Sequence, residues 1–459
     1  MMKKRFILLN AAALLLLQAS VSFSQNGKTL TLEECMQIAL KNNSQMRKAI
    51  YQVDRAGANV KGSYSSVLPV VTSSFTSSRT HQAERVDTRE IQLVDPTTGQ
   101  IILDRQDIVS QSQNFNFNQI SIRYDQTLFD FGRSWNLIKQ SKASFRASSE
   151  NLVSARHSVY ANVRRRYFEL LKAMKLEEEF RLAVERSMEQ LARTKSMFEI
   201  GSVAKIDVYR QEVTLGTDEI NLINQRNIVE IAKGSLNIEL GRDPETLVHI
   251  ADIEIDISLP EASLADAIST ARENNPSLHQ FEYDMDSSEY GMKAAKGRYY
   301  PALGFSATYS KQNEVFDRVY GDIGQNFQVS LGMQVNLNIF NGFSDAAEVG
   351  RQSANYAIAK ENWLGTRRQT DLEVKQAYLN LSAFAQISEI NKRNVRSAEE
   401  DFRLAQERYR VGAGTLLEVT DSQVSLTRAR VQLVSAKYDA MIARAQLEAA
   451  MGVVKVNEE

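Results

Sequence analysis

Cysteine, histidine and long apolar runs are scarce in this sequence, and each shortage excludes a class of protein. A single cysteine in 459 residues excludes a disulfide scaffold and a cysteine-based zinc site. The four histidines are scattered, and no HExxH, P-loop or nucleophile-elbow motif is present. The sequence therefore predicts neither an enzyme nor a cofactor or metal site.

Charge and hydropathy narrow the choice further. With 55 basic and 56 acidic residues the chain has no basic excess, which argues against a nucleic-acid partner. A mean hydropathy of −0.34 excludes a bundle of transmembrane helices, because these need several apolar runs of about 20 residues. It does not exclude a transmembrane barrel, whose strands alternate apolar and polar side chains.

The N-terminus predicts the compartment. A basic start, Lys3 to Arg5, precedes an apolar run from Phe6 to Leu17, and small residues then precede Gln25. This pattern predicts a secretory signal peptide over residues 1–24. A buried N-terminal helix is the alternative. No cysteine stands at the expected cut, so a lipid-anchored N-terminus is not indicated.

An internal duplication organises the rest of the chain. The segment Leu32 to Asn43 recurs at an offset of 232, and Phe129 and Gly201 recur at an offset of 211. The first copy therefore carries 21 extra residues before Phe129. We predict a first repeat over 25–241, a linker over 242–261, a second repeat over 262–452 and a C-terminal tail over 453–459.

Within each copy the hydrophobic period changes from helical to twofold and back. Residues 29–66 and 262–298 read as helices, with breaks at Asn43 and Asn275. Twofold alternation predicts strands at about 69–78 and 114–128, and at about 302–311 and 325–339. The polar connection from Arg79 to Gln113 reads as a long loop with a turn at residues 95–99. Its counterpart, from about Lys311 to Gln325, is shorter.

Sevenfold apolar ladders predict two long coiled-coil hairpins, at about 132–240 and 343–452. The first ladder begins at Val163 and Leu170, and the equivalent positions in the second copy are Val374 and Leu381. The first outgoing helix, at about 134–199, would be roughly 100 Å long at 1.5 Å per residue.

These elements together predict a membrane pore. The last strand is long enough to cross a bilayer, which takes about 9–11 tilted residues. Open sheet edges are not tolerated in hydrocarbon, and four strands are fewer than the roughly eight of the smallest barrels, so the chain should oligomerise. The opposite strand face carries polar side chains, namely Gln328, Ser330, Gln334, Asn336 and Asn338. We expect a polar pore continued by a helical tube.

The duplicated helix–strand–strand–helix–helix unit resembles the TolC-like outer-membrane efflux proteins over essentially the whole mature chain. The resemblance is carried by Leu32–Asn43 and 264–276, by the strand-to-helix junctions 128–132 and 339–342, and by the hairpin turn 409–419. It implies a mainly α fold with a membrane β-barrel portion, and a homotrimer with four strands per chain and a twelve-stranded barrel. It also implies a periplasmic helical tunnel, a periplasmic adaptor and an inner-membrane pump of RND or ABC type.

Acids just after the hairpin turns predict a periplasmic gate. Asp207 follows the first turn and Glu418 the second, with Asp421 three residues beyond Glu418 near the same helical face. Around a threefold axis they would form carboxylate rings, which attract cations. The resemblance implies that Glu418 and Asp421 constrict the entrance, and that Asp207 and Tyr409 help to close it. Alternatively, these acids have only a structural role: in the first turn of a helix, the helix dipole stabilises a negative side chain by about 0.3–1 kcal/mol.

Two further groups have both a functional and a structural interpretation. The tip residues Gly201, Ser202, Val203, Gly412, Ala413 and Gly414 are candidate adaptor contacts, although glycine also suits turn geometry. The family's best-studied tip has an arginine where this chain has Gly414, which puts one closing contact in doubt. Aromatic residues at the strand–helix junctions fit either a membrane-interface belt or ordinary packing: Phe129, Phe131, Trp135, Phe340 and Phe343.

The sequence thus predicts a passive outer-membrane channel, and the resemblance implies that it is the exit duct of a tripartite efflux or type I secretion system in a diderm bacterium. The alternative is a periplasmic coiled-coil adaptor that never enters a membrane. The long alternating strand from Phe327 to Ile339 favours the channel, because an adaptor needs no lipid-facing strand of that length. The transported substrate is not predicted.

Overall fold

The computed structural model describes residues 29–253, 263–321 and 324–454. The predicted signal peptide lies outside the described residues, as do parts of the predicted linker and tail. The chain divides into two compact units. Among the described residues, the helical unit comprises 29–52, 149–253, 263–279 and 364–454, and the sheet unit comprises 53–148, 280–321 and 324–363.

The order of the elements repeats, as the sequence predicts. The first copy contains β1 (Thr29–Leu30), α1 (Leu32–Asn42), α2 (Ser44–Ser63), β2 (Val70–Gln82), β3 (Arg85–Val94), β4 (Ile101–Ser110), β5 (Gln113–Phe129), α3 (Arg133–Glu199) and α4 (Lys205–Glu239). After β6 (His249–Ile250), the second copy contains α5 (Leu264–Asn274), α6 (Pro276–Lys296), β7 (Ala302–Asn313), α7 (Phe316–Tyr320), β8 (Phe327–Asn336), α8 (Ser344–Arg410) and α9 (Leu416–Ala450). Single 3₁₀ turns at Tyr64–Ser66 and Gly297–Tyr299 precede the strands of each copy.

Equivalent residues begin and join the helices of both copies in the helical unit. Thr31 and Ser263 cap α1 and α5 with reciprocal capping boxes. The side chain of Asn43 donates to the carbonyl of Glu239 at 2.8 Å, and that of Asn275 donates to the carbonyl of Ala450 at 2.9 Å. Each predicted helix break therefore also holds the end of the returning hairpin helix.

The ladder residues form the core of the helical unit. Val163, Leu170, Leu236 and Val374 are at most 1% exposed. The larger apolar cluster packs α1, α3 and α4 around Tyr167, whose hydroxyl donates to the carbonyl of Ala251 at 2.7 Å. The sevenfold interpretation is confirmed, because these positions line the helix–helix contacts.

Four strands of the sheet unit form one antiparallel sheet in the order β2-β5-β7-β8. The register places apolar side chains on one face, among them Val71, Phe75, Ile122, Phe305, Tyr309, Val329, Leu331 and Met333. It places polar side chains on the other face, among them Thr72, Ser74, Ser121, Arg123, Ser306, Thr308, Gln328 and Ser330. β2 and β8 are the edges, and neither has a second strand partner within the described chain.

Two details of the strands differ from the sequence prediction. The strand expected at about 325–339 is observed as β8, Phe327–Asn336. Its partner strand β7 begins at Ala302, which pairs with Asn336, so residues after Asn336 have no strand to pair with on that side. The region from Arg79 to Gln113, expected to be a loop, contains the ends of β2 and the two-stranded sheet β3–β4.

Candidate functional site

The predicted tip residues lie at the turns between the two helices of each hairpin. Gly201 and Gly412 have φ values of 79° and 75°, a conformation that suits glycine. The N–H groups of Ser202 and Ala413 donate to the carbonyls of Met197 and Arg408, both at 2.8 Å, closing the helix ends in the same way. The two tips therefore share one local geometry.

Tyr409 and Asp207 are close enough to interact electrostatically, but their side chains do not form the hydrogen bond expected of a closing pair. The Tyr409 hydroxyl donates to the thioether sulfur of Met197 at 3.5 Å, and Asp207 pairs with Arg210 at 3.5 Å. Burial, and then the nearby Asp207 carboxylate, raises the pKa of Tyr409, so its hydroxyl stays neutral at physiological pH. Tyr409 therefore joins the two hairpins mainly by packing.

Glu418 and Asp421 are both exposed on the first turns of α9. The carboxylate of Glu418 lies 3.8 Å from the guanidinium of Arg408, which also donates to the carbonyl of Ala413 at 3.1 Å. Asp421 forms no ion pair with the residues that the structure describes. A Cβ at Gly414 would lie 3.1–3.2 Å from Arg408, Tyr409 and Glu418, so this tip has little room for a larger side chain. Arg408 thus supplies a cation beside Gly414.

A row of polar contacts joins α3 of the first hairpin to α9 of the second. We call it the polar seam, and its members are Lys172, Glu179, Arg186 and Ser187 on α3 and Gln423, Thr427, Arg430 and Asp439 on α9. Lys172 binds Asp439 at 2.9 Å, Arg430 lies 3.7 Å from Glu179, and Arg186 donates to Thr427 at 3.3 Å. The contacts recur about every two helical turns, whereas the hairpin cores combine apolar ladders with fewer buried polar residues such as Gln225 and Asn391.

The tightest part of the polar seam is centred on Ser187. This residue is fully buried; its hydroxyl donates to Asp218 on α4 at 2.5 Å and accepts from the Gln423 amide at 2.8 Å. Nearer the tip, the buried Gln211 amide donates to Thr420 at 2.7 Å, joining α4 to α9. These bonds therefore connect both helices of the first hairpin to α9.

Arg186 occupies an electrostatically unfavourable position in the polar seam. Its Nε is buried without a hydrogen-bond partner. Burial, and then the neighbouring Arg430, lowers the pKa of Arg186, while Glu179 and Asp218 oppose that shift. Arg186 is thus a half-buried cation beside a like charge, and its acidic neighbours Glu179 and Asp218 stabilise it in the polar seam.

Sequence reasoning missed the polar seam. Its only signal is a second sevenfold stripe, Lys172, Glu179, Arg186 and Arg193, running two residues behind the apolar ladder. A charged stripe usually marks a solvated helix face, so the stripe alone does not reveal a contact between hairpins.

In the sheet unit, the junction aromatics contact one another. Phe131 lies 4.9 Å from Phe129 and stacks on Tyr300 at 5.0 Å between ring centroids, and Phe340 lies 5.5 Å from Phe343. Phe340 and Phe343 are each 73% exposed. The chain turns from strand to helix through two successive positive-φ residues, Phe131–Gly132 in one copy and Gly342–Phe343 in the other. Phenylalanine is rare in that conformation.

Within the described residues, no helix combines the length and apolarity needed to cross a membrane.

Comparison with known proteins gives one consistent result. A family model described as "Outer membrane efflux protein" matches residues 35–242 and 267–453. The chain is 25% identical to outer membrane protein TolC of Escherichia coli over 74% of this chain and 70% of that protein. It is 24% identical to outer membrane efflux protein BepC of Brucella suis, covering 96% and 89%. The crystal structure of VceC from Vibrio cholerae superposes with a TM-score of 0.76 at 17% identity, covering 92% of this chain and 96% of that chain.

Proposed function

The chain belongs to the outer membrane efflux protein family, and we propose that three copies of it form an outer-membrane channel with a gated periplasmic entrance. The fold class and the outer-membrane location predicted from the sequence are confirmed by this membership. The alternative of an adaptor that never enters the membrane is not supported. The number of copies, the gate and the partner contacts are the proposal.

The four-stranded sheet is the observation that supports this function. It has one apolar and one polar face, and both of its edges lack a second partner within the described chain. In hydrocarbon, unpaired backbone groups at β2 and β8 would each cost several kcal/mol. Pairing β8 of one copy with β2 of the next removes every edge, and three copies of four strands give a twelve-stranded barrel with a polar lumen.

The long hairpins then provide the periplasmic part of the channel. We propose that the tip residues of both hairpins contact a periplasmic adaptor, through which an inner-membrane pump of RND or ABC type supplies energy. Gly201, Ser202 and Val203 form one such tip, and Gly412, Ala413 and Gly414 form the other. The exposed tips, free of secondary-structure partners, are accessible for this contact.

The closed entrance rests on two layers of contacts. At the tips, Glu418 and Asp421 of three copies would form carboxylate rings that attract cations and repel one another. Arg408 offsets part of the Glu418 charge and so takes over the role of the arginine absent at position 414. Above the tips, the polar seam holds α9 against α3, and Tyr409 packs the second hairpin against the first.

The mechanism of opening follows from the chemistry of these contacts. Hydrogen bonds and ion pairs can be exchanged for contacts with water, whereas an apolar core loses its stabilisation when water enters. We therefore expect each hairpin to stay intact while the polar seam separates. Separation would carry the Glu418 and Asp421 side chains away from the pore axis and widen the entrance.

Single-channel recording in planar bilayers tests the proposal. Replacing Glu418 and Asp421 with alanine should abolish block by multivalent cations added from the periplasmic side. A variant with Glu407 and Glu400 changed to alanine is a matched control, since these exposed acids pair locally on α8. Unchanged block in the first variant would exclude the ring. Absence of a heat-modifiable trimer and of any conductance in the wild type would exclude the channel.

At the strand–helix junctions, we propose that Phe129, Phe131, Phe340 and Phe343 form the membrane-interface belt. Their exposure in the single chain and the retention of phenylalanine at positive φ support this role over ordinary packing.

A further inference from the structure

The sheet β3–β4, which we call the ribbon, is an addition that the four-stranded sheet does not need. It consists of ten antiparallel residue pairs, Arg85 with Ser110 through to Val94 with Ile101. At about 3.4 Å per residue it is roughly 34 Å long. Among the described residues, the equivalent connection of the second copy contains the short helix α7 and no strand pair. Most of the 21 residues by which the first copy exceeds the second fall in the connection that contains the ribbon.

The turn of the ribbon is well defined. The carboxylate of Asp95 accepts from the N–H of Thr97 at 2.8 Å and from the hydroxyl of Thr98 at 2.7 Å, and Gly99 has a φ of 62°. Cross-strand pairs near the base include Glu90 with Arg105 and Thr88 with Asp107. The ribbon is therefore a specific structure, although an isolated two-stranded sheet is only marginally stable in water.

Apolar side chains lie on both faces of the ribbon. The register puts Ile91, Leu93, Ile102 and Ile108 on one face, which we call face A. It puts Val86, Val94, Ile101, Leu103 and Val109 on the other, face B. Most of them are exposed, with Leu103 at 65% and Leu93 at 42%. A ribbon lying on its own barrel or on a lipid surface would need only one apolar face.

The position of the ribbon indicates which partner packs against its apolar faces. It continues β2, an edge strand of the main sheet, and under the proposed function that edge meets the next copy of the chain. In a threefold ring each ribbon has two different neighbours, one on each side. A rotationally closed contact joins unlike faces, so it requires an apolar surface on both faces of the same element.

We infer that the three ribbons of a trimer pack face A against face B above the extracellular mouth of the channel, so that a second copy of the chain covers each apolar face. This inference rests on the proposed trimer. Because the three ribbons rise from one barrel, their local concentration is high, and a small contact area is sufficient for association. The packed ribbons would tie the copies together and narrow the exit.

Cysteine crosslinking tests this arrangement, since Cys35 is the only native cysteine and is fully buried. Leu93→Cys and Leu103→Cys place thiols on opposite faces, so they cannot bond within one ribbon. Under oxidation the double variant should run as covalent dimers and trimers on boiled, non-reducing gels. Each single variant, as the matched control, should stay monomeric. Monomers from the double variant, or equal crosslinking of L93C alone, would overturn the inference.

A conductance measurement covers the case in which cysteine disturbs folding. Leu93→Asp with Leu103→Asp should separate the ribbons, raise single-channel conductance and admit larger polyethylene glycols from the extracellular side. Unchanged conductance and unchanged polymer exclusion in this variant would also overturn the inference. Gel migration of the unheated wild-type protein distinguishes the ribbon contact from the proposed trimeric channel. A trimer without ribbon crosslinks refutes only the ribbon contact, whereas absence of a trimer refutes the proposed function.

Discussion

Replacing Ser187 with alanine is expected to favour the open entrance. The change removes a fully buried hydroxyl that bridges Gln423 on α9 and Asp218 on α4. Asp218 is partly exposed, so water can replace its lost partner. The Gln423 amide is only 4% exposed and loses its donor contact without replacement.

The magnitude follows from that orphaned amide. Leaving a buried donor unsatisfied costs about 1–3 kcal/mol. In the open state the amide is hydrated and the cost vanishes, so a value near 2 kcal/mol shifts the closed-to-open equilibrium about 30-fold per chain. If three chains open together, the shifts multiply. The single-channel open probability should therefore rise sharply.

A matched set of variants makes the prediction specific. Ser425→Ala removes an exposed hydroxyl on α9, two residues from Gln423, and should leave the channel closed. Ser187→Ala combined with Gln423→Leu removes both partners of one hydrogen bond and should restore much of the closed state. Wild-type conductance in a folded, trimeric Ser187→Ala protein would refute the role of the polar seam.

Three further outcomes are expected. Burial raises the pKa of Glu239 above its ordinary value of 4.5, so above that pH the folded state binds more protons than the unfolded state. The free energy of unfolding should therefore fall as pH rises through this range. Glu239→Gln should remove this pH dependence in thermal unfolding, and the control Glu219→Gln should not. Gly342→Ala places a Cβ at a φ of 65° and should lower the unfolding free energy by about 1–2 kcal/mol. Tyr409→Phe should leave conductance near wild type, because the lost bond is to a weak thioether acceptor, whereas Tyr409→Ala should raise it.

The repeat and the hairpins were predictable because the two repeats within the chain have the same sequence pattern at equivalent positions. Val163 and Val374 are apolar at equivalent positions, and so are Leu170 and Leu381; each pair reduces the chance that a ladder is accidental. The helix breaks at Asn43 and Asn275 were predictable for the same reason, because equivalent capping residues mark them in both repeats. Comparison between the copies therefore made the helices and their breaks predictable, whereas the last strand, expected at about 325–339, ends at Asn336.

The ribbon and the polar seam were not predictable in this way. The ribbon has no counterpart in the second copy, and its alternation is interrupted by charges that pair across strands, such as Glu90 with Arg105. The seam depends on which helix faces lie together. That packing is determined by the whole fold, and a stripe containing Lys172 and Arg186 looks the same whether it faces water or a partner.

The duplication also indicates which contact between hairpins should separate. Under the offset of 211, the α3 positions Lys172, Glu179 and Arg193 of the charged stripe become Ala383, Ile390 and Leu404 on α8, and Asp439 on α9 becomes Ile228 on α4. If three chains close a ring, the contact equivalent to the polar seam joins α8 of one chain to α4 of the next. That contact is more apolar than the polar seam, although Arg186, Gln423 and Arg430 are matched by Ser397, Glu212 and Glu219. Ile228, Ile390 and Leu404 are about half exposed in the single chain. Apolar contacts resist water better than polar ones, so opening should separate hairpins within a chain and leave the trimer assembled.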